Sequence, residues 1–321
     1  MSGFGAVIEA LEQGLSRGWH RGGLLYVERH GEPVINWAFG EDEAGTRLVP
    51  GQPVAWSCTS KLSLTVACAR LRQIGAVDID EPVASHVPAF AVNGKGQVTL
   101  RHVLTHTTGI EDDPACVLDQ GASWAATLDR ACAAVVRPDA VGTVAAYSAR
   151  TGWFLLAEVL GRASGLAPIE VDDRLGMRAV GVAGATIATD ERSYRPGRST
   201  TGPLDELVRL CSALSPTNRL VDDHLDEATR REVVRPWRQG MVDAVHRSDS
   251  SWGLGVAVDG RLFGTALSPL TFGHLGAPGT FVLFEPERGL AVAAHLVGVR
   301  REMHATAGRY LLTAGICRDV D

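Results

Sequence analysis

Residues 55–71, which read AWSCTSKLSLTVACARL, predict a helix with a reactive side chain in its first turn. Apolar positions recur at helical spacing through Leu64, Cys68, Leu71 and Ile74. Gly75 follows as a C-terminal stop. The apolar side of this helix is expected to face the core. Its start carries Cys58 and Lys61 instead, so the chemistry is expected at the N-terminal end.

Cys58 and Lys61 lie about one helical turn apart and therefore share a face of the predicted helix. The positive end of the helix dipole and a neighbouring ammonium both favour a thiolate, so they lower the pKa of a cysteine from about 8.5. This pairing favours a nucleophilic Cys58. A buried cysteine beside a surface lysine fits the same residues, and the local sequence does not separate the two interpretations.

The composition is that of an ordinary globular protein and argues against several functional classes. The chain has 321 residues, 45% hydrophobic and 21% charged, which suits one large domain or two closely packed ones. A net charge of −6 gives no reason to expect nucleic acid or a membrane as partner. The N-terminal pattern is an amphipathic helix containing Glu9 and Glu12, unlike a signal peptide, so a cytoplasmic location is expected.

The cysteines show no C-x-x-C pair and no spacing typical of a metal site. There are six: Cys58, Cys68, Cys116, Cys132, Cys211 and Cys317. In a reducing compartment we expect free thiols. All except Cys58 lie in apolar surroundings, where a small buried side chain is the simplest interpretation.

Strand patterns occur at both ends of the chain, with helical patterns between them. GGLLYVERHGEPVINWAFG (residues 22–40) predicts a β-hairpin around His30, Gly31 and Glu32. Past Trp252, GLGVAVDGRLFGTAL, LTFGHLG and TFVLFEPERGLAVAAHLVG predict antiparallel strands, followed by a closing helix. We therefore expect residues 1–77 and 240–321 to share one sheet flanked by helices, and residues 78–239 to form an inserted, mostly helical region.

Several ordered motifs resemble the class C β-lactamase and penicillin-binding-protein-like superfamily, which includes serine esterases, D-aminopeptidases and transacylases. WSCTSKLSLTVACARL is similar to its Ser-x-x-Lys helix, with Cys58 in the place of the serine. VTLRHVLTHTTGI, YSARTGWFLLAEVLGRASG and FGHLGAPG are similar to its Leu-Leu-x-His-x-x-Gly segment, Tyr-x-Asn helix and Lys/His-Thr-Gly strand. GAVDIDEPVASHVPAF and SWGLGV match two further landmarks. The resemblance spans about Gly23 to Tyr310 and implies a β-lactamase/transpeptidase-like fold, class α/β (α+β).

The resemblance also implies a role for each matching residue. Cys58 is expected to attack an acyl carbonyl, while Lys61 and Tyr147 transfer protons. The backbone N–H groups of Cys58 and Ala277 are expected to form the oxyanion hole. Substrate binding is assigned to Ser148, His274 and Gly276. Of these, the histidine is expected to orient the tyrosine or bind a substrate carboxylate, and the glycine lets substrate lie close to the strand edge.

Two departures from the family pattern bear on function. Ala149 replaces the asparagine of Tyr-x-Asn, whose amide contacts the substrate, so recognition of β-lactams or peptides is in doubt. Cys58 replaces the serine. A one-residue slip would instead make Ser57 the nucleophile, and loss of both family residues is also compatible with a non-catalytic, ligand-binding relative.

A cysteine acyl-enzyme is a thioester, which favours amines over water more strongly than an ester does. We therefore expect an amide-forming acyltransferase that moves an acyl group from an ester or thioester donor through Cys58 to an amine acceptor. Since the family includes transacylases of natural-product pathways, the resemblance implies a place in antibiotic biosynthesis. An esterase or amidase is the second interpretation and a binding protein the third. No metal or organic cofactor is implied, and the expected partners are the two small-molecule substrates.

Other polar groups carry weaker signals. His102 and His106 have the spacing of a helical zinc pair but belong to a family landmark, which favours a structural role. Asp112 and Asp113 are expected to rim the site. The loop DERSYRPGRSTTGP contains three arginines that would meet an anionic substrate if the loop borders the cleft: Arg192, Arg195 and Arg198.

Overall fold

The computed structural model describes residues 3–110, 112, 122–188, 193–217, 224–276 and 279–321. Its α-helices are α1 (Gly5–Ser16), α2 (Lys61–Gln73), α3 (Val83–His86), α4 (Leu100–Leu104), α5 (Trp124–Ala133), α6 (Thr151–Ser164), α7 (Pro168–Glu170), α8 (Leu204–Ser212), α9 (Glu227–Val234), α10 (Gly260–Phe263) and α11 (Glu302–Val320). Its strands are β1 (Gly22–Arg29), β2 (Glu32–Gly40), β3 (Val54–Ala55), β4 (Thr186–Ile187), β5 (Thr200–Gly202), β6 (Phe272–Gly276), β7 (Thr280–Glu285) and β8 (Leu290–Val297).

Both ends of the chain contribute to a five-stranded antiparallel sheet with the order β2-β1-β8-β7-β6. The predicted hairpin is confirmed: His30 and Gly31 connect β1 to β2 with φ angles of 52° and 83°. Positive φ at both central residues matches the right-handed twist of the strands that the turn joins. Because β1 pairs with β8, the two ends of the chain share one sheet, as the strand patterns predict.

Successive residues of the central strands point to opposite faces of the sheet, and so contribute to two separate cores. Leu25 and Val27 of β1 pack with α1 and α11, the latter through Leu312. Leu24 and Tyr26, on the other face, belong to the core that also contains side chains of α2 and α8. The sheet is thus covered by helices on both faces, which confirms the predicted mixed α/β class.

A third core holds the helical part of the chain together. The buried residues of α6 include every position from Thr151 to Gly161, and this helix packs against α2. Helix α2 therefore contacts the sheet side with Leu62 and Val66 and the helical side with Leu64 and Cys68. Its N-terminal end lies between the two parts of the molecule.

Helix α8 lies within the range 78–239 but packs on strands β7, β8 and β1 of the large sheet. The small sheet, β3-β5-β4, likewise joins residues 54–55 to strands from that range. The boundaries at residues 77 and 240 remain a prediction, although α8 and strands β4 and β5 of the mostly helical range pack with elements from outside it. Within the described ranges, no helix combines the length and apolar character that crossing a bilayer requires.

The β-strand prediction for GLGVAVDGRLFGTAL, residues 253–267, is wrong. The chain there makes isolated bridges and then forms the short helix α10. Gly255 has a φ of 77°, and a Cβ on it would lie 2.2 Å from Thr65 Oγ1 of α2, so the backbone bends closely over that helix. Asp259 then caps α10 by accepting a hydrogen bond from the Arg261 N–H at 2.9 Å. Strands β6, β7 and β8 follow as predicted.

Candidate active site

Cys58 lies in a tight turn between β3 and α2. Residues Ser57–Ser60 form a 3-10 turn that runs directly into α2. Ser57 has a φ of 53°, a left-handed conformation that costs a non-glycine residue about 1–2 kcal/mol. The Thr59 hydroxyl stabilises the turn by donating to the Trp56 carbonyl at 2.7 Å. The turn places Cys58, 9% exposed, on the wall of a cavity.

Lys61 and Tyr147 are brought to Cys58 from two different parts of the chain. Lys61 is completely buried, and its Nζ lies 5.4 Å from the ring centre of Trp153 and 5.9 Å from that of Tyr147. It also donates to the Gly197 carbonyl at 3.4 Å. Tyr147 lines the same cavity as Cys58, and both Lys61 and Tyr147 are close enough to the Cys58 thiol to lower its pKa. The structure therefore brings together the three predicted catalytic side chains.

The electrostatics of this trio favour a charged sulfur. Burial raises the pKa of the Cys58 thiol, but the Lys61 ammonium, the Tyr147 hydrogen bond and the Arg198 charge outweigh it, so the pKa is lowered. Burial lowers the pKa of Lys61, which the thiolate partly offsets. Burial and the neighbouring thiolate raise the pKa of Tyr147 well above its ordinary value. The surroundings of Cys58 thus favour its thiolate form and keep the Tyr147 phenol neutral.

A cavity of about 340 Å³ opens in front of Cys58 and extends toward α11. Much of its wall is apolar, through Trp252, Ala257, Leu262, Leu275, Phe281 and Ala305. Polar side chains stand at several points, including His246, His274 and Arg309. A larger groove of about 660 Å³ lies between the end of α2 and α9, away from Cys58. The smaller cavity is the candidate site because it contains the nucleophile and suits an apolar acyl group.

His274 and Gly276 lie on β6, at the edge of the large sheet. The His274 ring lines the cavity, 6.3 Å from the Tyr147 ring and 5.6 Å from the Trp252 ring. A Cβ on Gly276 would lie 3.0 Å from the Trp56 carbonyl and 3.4 Å from the Ser57 Cβ. This glycine therefore lets strand β6 lie close to the turn that contains Cys58. Ala277, assigned to the oxyanion hole, lies outside the described residues, so that assignment remains a prediction.

The Ser148 hydroxyl lies in the cap of helix α6. It donates to Asp112 Oδ1 at 2.8 Å and accepts the Gly152 N–H at 2.9 Å. The Asp112 carboxylate also accepts the backbone N–H groups of Ala149, Arg150 and Thr151. Asp112 thus satisfies the first N–H groups of α6 from a distant loop. The Ser148 side chain is committed to this cap, so a substrate-binding role would fall to other atoms of the residue.

A buried ion pair behind the site is absent from the sequence predictions. Arg238 Nη1 lies 3.2 Å from Asp243 Oδ2, and both side chains are almost completely buried. Asp243 Oδ1 accepts the N–H groups of Tyr147 at 3.2 Å and His246 at 3.1 Å. The pair therefore holds the backbone of Tyr147 beside the loop that carries His246. The sequence shows an aspartate, Asp243, three residues before a histidine, His246. Nothing local to residue 243 indicates a partner at residue 147.

Other predicted residues have structural partners. His102 Nδ1 accepts the Thr99 N–H at 3.1 Å in the cap of α4, and His106 Nδ1 accepts the Ser148 N–H at 3.1 Å. These separate contacts agree with the structural interpretation of the pair. Of the three loop arginines, Arg198 lowers the pKa of Cys58, while Arg192 lies outside the described residues. Asp113 lies outside them as well.

The comparison with known families agrees with the motif pattern. A sequence model of the family described as Beta-lactamase matches residues 7–314. LipL, an esterase/β-lactamase of Mycobacterium tuberculosis, is 38% identical over 94 residues, which make up 28% of this chain and 21% of LipL. The aligned stretch thus spans about a fifth of that relative's length.

Two solved structures extend the likeness over nearly the whole chain. A penicillin-binding protein homologue from Caulobacter crescentus superposes with a TM-score of 0.80 at 21% identity and covers 98% of each chain. EstCE1, described as a hydrolase with promiscuous acyltransferase activity, superposes with a TM-score of 0.79 at 18% identity, covering 96% of this chain and 97% of EstCE1. At these identities the likeness concerns the fold.

Proposed function

The chain belongs to the beta-lactamase family, and on that premise we propose that it is an acyltransferase whose covalent intermediate is a thioester on Cys58. The observation that carries the proposal is that Cys58 and Tyr147 line one cavity, with the Lys61 Nζ buried 5.9 Å from the Tyr147 ring. A charged thiolate needs no further base before it attacks. The acyl donor is an ester or thioester, and the acceptor is an amine.

The first half-reaction transfers the acyl group to sulfur. The Cys58 thiolate attacks the donor carbonyl carbon, the C–S bond forms, and the bond to the alkoxide or thiolate leaving group breaks. Lys61 supplies the proton for that leaving group through the Tyr147 hydroxyl. The products are the acyl-Cys58 thioester, the free alcohol or thiol, and a neutral Lys61.

The second half-reaction uses the change in charge around Lys61. The thiolate that raises the pKa of Lys61 is now neutralised, so the pKa of the amine falls further and its unprotonated form is favoured. The acceptor nitrogen attacks the thioester carbon, the N–C bond forms and the C–S bond breaks. The proton lost from nitrogen passes through Tyr147 to Lys61, which restores the thiolate and the ammonium.

Hydrolysis of the same acyl-Cys58 intermediate is the alternative, and it differs only in that water attacks the thioester instead of an amine. Relatives and fold neighbours described as esterases or hydrolases favour it. The largely apolar cavity wall and the thioester favour the amine, because an apolar acceptor side chain gains from burial there while water does not. Both functions require acyl-Cys58, so the intermediate is tested first and its fate second.

The test is intact-mass spectrometry after incubation with activated esters of short and medium acyl chains. We expect one acyl adduct, located on Cys58 by peptide mapping, and its loss in Cys58→Ala. Cys68→Ala is the matched control, because Cys68 is buried in α2, the helix that follows Cys58, and burial raises its pKa to about 12. An adduct on Ser57, or none with any ester, would contradict the proposal.

The fate of the adduct separates transfer from hydrolysis. With n-propylamine present we expect the amide product to rise at the expense of the free acid. Cys58→Ser replaces the thioester by an ester, so turnover should shift toward water. The measurement is the ratio of amide to acid by liquid chromatography and mass spectrometry. A ratio that does not respond to amine concentration in the unaltered chain would leave hydrolysis as the function.

A further inference from the structure

The position of one proton on His274 follows from a single hydrogen bond. His274 Nδ1 lies 2.8 Å from the carbonyl oxygen of Leu275. A carbonyl oxygen only accepts hydrogen bonds, so Nδ1 carries the proton and donates it. The other ring nitrogen, Nε2, therefore presents a lone pair in the neutral imidazole. Burial and the Lys61 charge keep the ring neutral, because they lower the pKa of His274 to about 3.

Nε2 of His274 has no hydrogen-bond partner among the described residues, although the residue is only 1% exposed. A buried acceptor without a partner costs about 1–3 kcal/mol. The ring forms part of the cavity wall that also contains Cys58 and Tyr147. An unsatisfied acceptor at that place is what a ligand with an N–H or O–H group would satisfy.

This geometry argues against the carboxylate-binding role for His274. A substrate carboxylate would bring its own lone pairs against the lone pair of Nε2, and the buried ring carries no charge to offset them. The Tyr147 hydroxyl does not occupy this acceptor either, because Nε2 has no hydrogen-bond partner among the described residues. The Nε2 lone pair is left for a molecule that enters the cavity.

We propose that His274 Nε2 accepts a hydrogen bond from the nitrogen of the acyl acceptor, and so makes the enzyme selective for primary amines. The inference rests on the proposed function. A primary amine has two N–H groups: one proton leaves through Tyr147 to Lys61, and the other remains in the amide and is held by Nε2. A secondary amine must give up its single N–H proton, so no N–H group remains to donate a hydrogen bond to His274 Nε2. Water also has two protons, so the selectivity concerns one amine against another.

The experiment compares n-propylamine with its isomer N-methylethylamine as acceptors of a preformed acyl-Cys58. In the unaltered chain we expect the primary amine to be preferred. His274→Leu, which lacks any acceptor, should reduce that preference about tenfold, since a hydrogen bond to a buried acceptor is worth about that factor. His274→Gln returns an acceptor oxygen at similar reach and should recover most of it. The rate of Cys58 acylation serves as the check that both variants retain the site.

His304→Leu is the matched control, because this half-buried histidine stacks on Trp19 at a ring distance of 6.2 Å and lies outside the cavity wall. It should leave the preference unchanged. An equal preference in the unaltered chain and in His274→Leu, with normal adduct formation, would overturn this inference alone. Failure of the unaltered chain to form any Cys58 adduct would overturn the proposed function, and this inference with it.

Discussion

At position 58 the chain carries sulfur where the resembled family carries a hydroxyl, and burial acts differently on the two groups. A serine hydroxyl remains neutral until a base removes its proton, whereas a thiol near neutral pH is already close to ionising. Burial alone would raise the pKa of the Cys58 thiol, yet that pKa is lowered, first by the Lys61 ammonium and then by Tyr147 and Arg198. The reactivity of the cysteine thus depends most on one buried lysine.

Replacing Lys61 by Met should therefore raise the pKa of Cys58, since the largest charge that opposes burial is then removed. We expect alkylation of Cys58 by iodoacetamide at neutral pH to slow by about tenfold or more, because each unit of pKa changes the thiolate fraction about tenfold. In the unaltered chain the rate should reach half its maximum at a lower pH than for a free cysteine. The measurement is the alkylation rate as a function of pH, with Cys58→Ala to subtract the other thiols. Equal profiles for Lys61→Met and the unaltered chain would show that Lys61 does not control the thiol.

At the scale of elements, one carboxyl group joins helix α2 to the loop that covers Lys61. Asp172, in the π-helical segment Val171–Met177, contacts Ser63 of α2 through Oδ1 and Tyr194 through Oδ2 at 3.1 Å. The Ser63 hydroxyl also lies 2.7 Å from the Ser60 carbonyl. Ser63 has one proton for two acceptors, so both contacts are hydrogen bonds only when Asp172 is protonated.

Burial raises the pKa of Asp172 to about 7, in agreement with that proton count. In the unfolded chain an aspartate has a pKa near 3.9, so its contribution to stability is present at acid pH and is lost as the pH rises toward 7. We expect the free energy of unfolding to fall by roughly 2–4 kcal/mol between about pH 5 and pH 8 from this group. Asp172→Asn should remove that loss, because the amide donates to Ser63 without ionising.

Urea unfolding at the two pH values measures this effect. Asp173→Asn is the matched control, because that neighbour is more exposed and pairs with Arg178 at 3.0 Å. It should keep the pH dependence of the unaltered chain. A pH dependence that survives in Asp172→Asn would place the titrating group elsewhere.

Across the whole molecule, the site is assembled where the sheet and the helical part meet. Cys58 comes from the turn before α2, Tyr147 from the segment before α6 and His274 from the edge strand β6. The Arg238–Asp243 pair anchors one of these parts: Arg238 donates to the Thr105 carbonyl at 3.1 Å, and Asp243 accepts the Tyr147 N–H. The position of Tyr147 therefore depends on a buried pair that need not touch the substrate.

Removing one member of that pair leaves a buried charge without its partner, which costs about 3–5 kcal/mol. We expect this loss of stability in Asp243→Ala, together with slower acylation of Cys58, because Tyr147 loses its backbone anchor. Asp243→Asn should be milder, since its amide oxygen still accepts the backbone N–H groups. Urea unfolding and the acylation rate measure the two effects. Asp139→Asn, which breaks the exposed pair with Arg137, should change neither; an equally small effect in Asp243→Ala would contradict the proposed anchoring.

Local patterns were enough to predict much of the fold. The His30-Gly31 hairpin, helix α2 behind Cys58 and the strand that carries His274 follow from turn chemistry and apolar periodicity, which act over a few residues. The same reasoning failed over residues 253–267, where a β-like composition is overruled by close packing of Gly255 on Thr65. Propensity is a weak guide wherever tertiary contact sets the backbone.

The thiol at position 58 and its one-turn spacing from Lys61 are determined by the sequence alone, because both depend only on residues 58–61. The Asp112 cap, the Asp243 anchor and the proton position on His274 belong to the folded chain. Asp243 and Tyr147 are 96 positions apart, and no local pattern encodes which distant carboxylate will satisfy a given backbone N–H. Burial determines which of these groups are charged and which need a hydrogen-bond partner, and burial arises only when the sheet and the helices pack together.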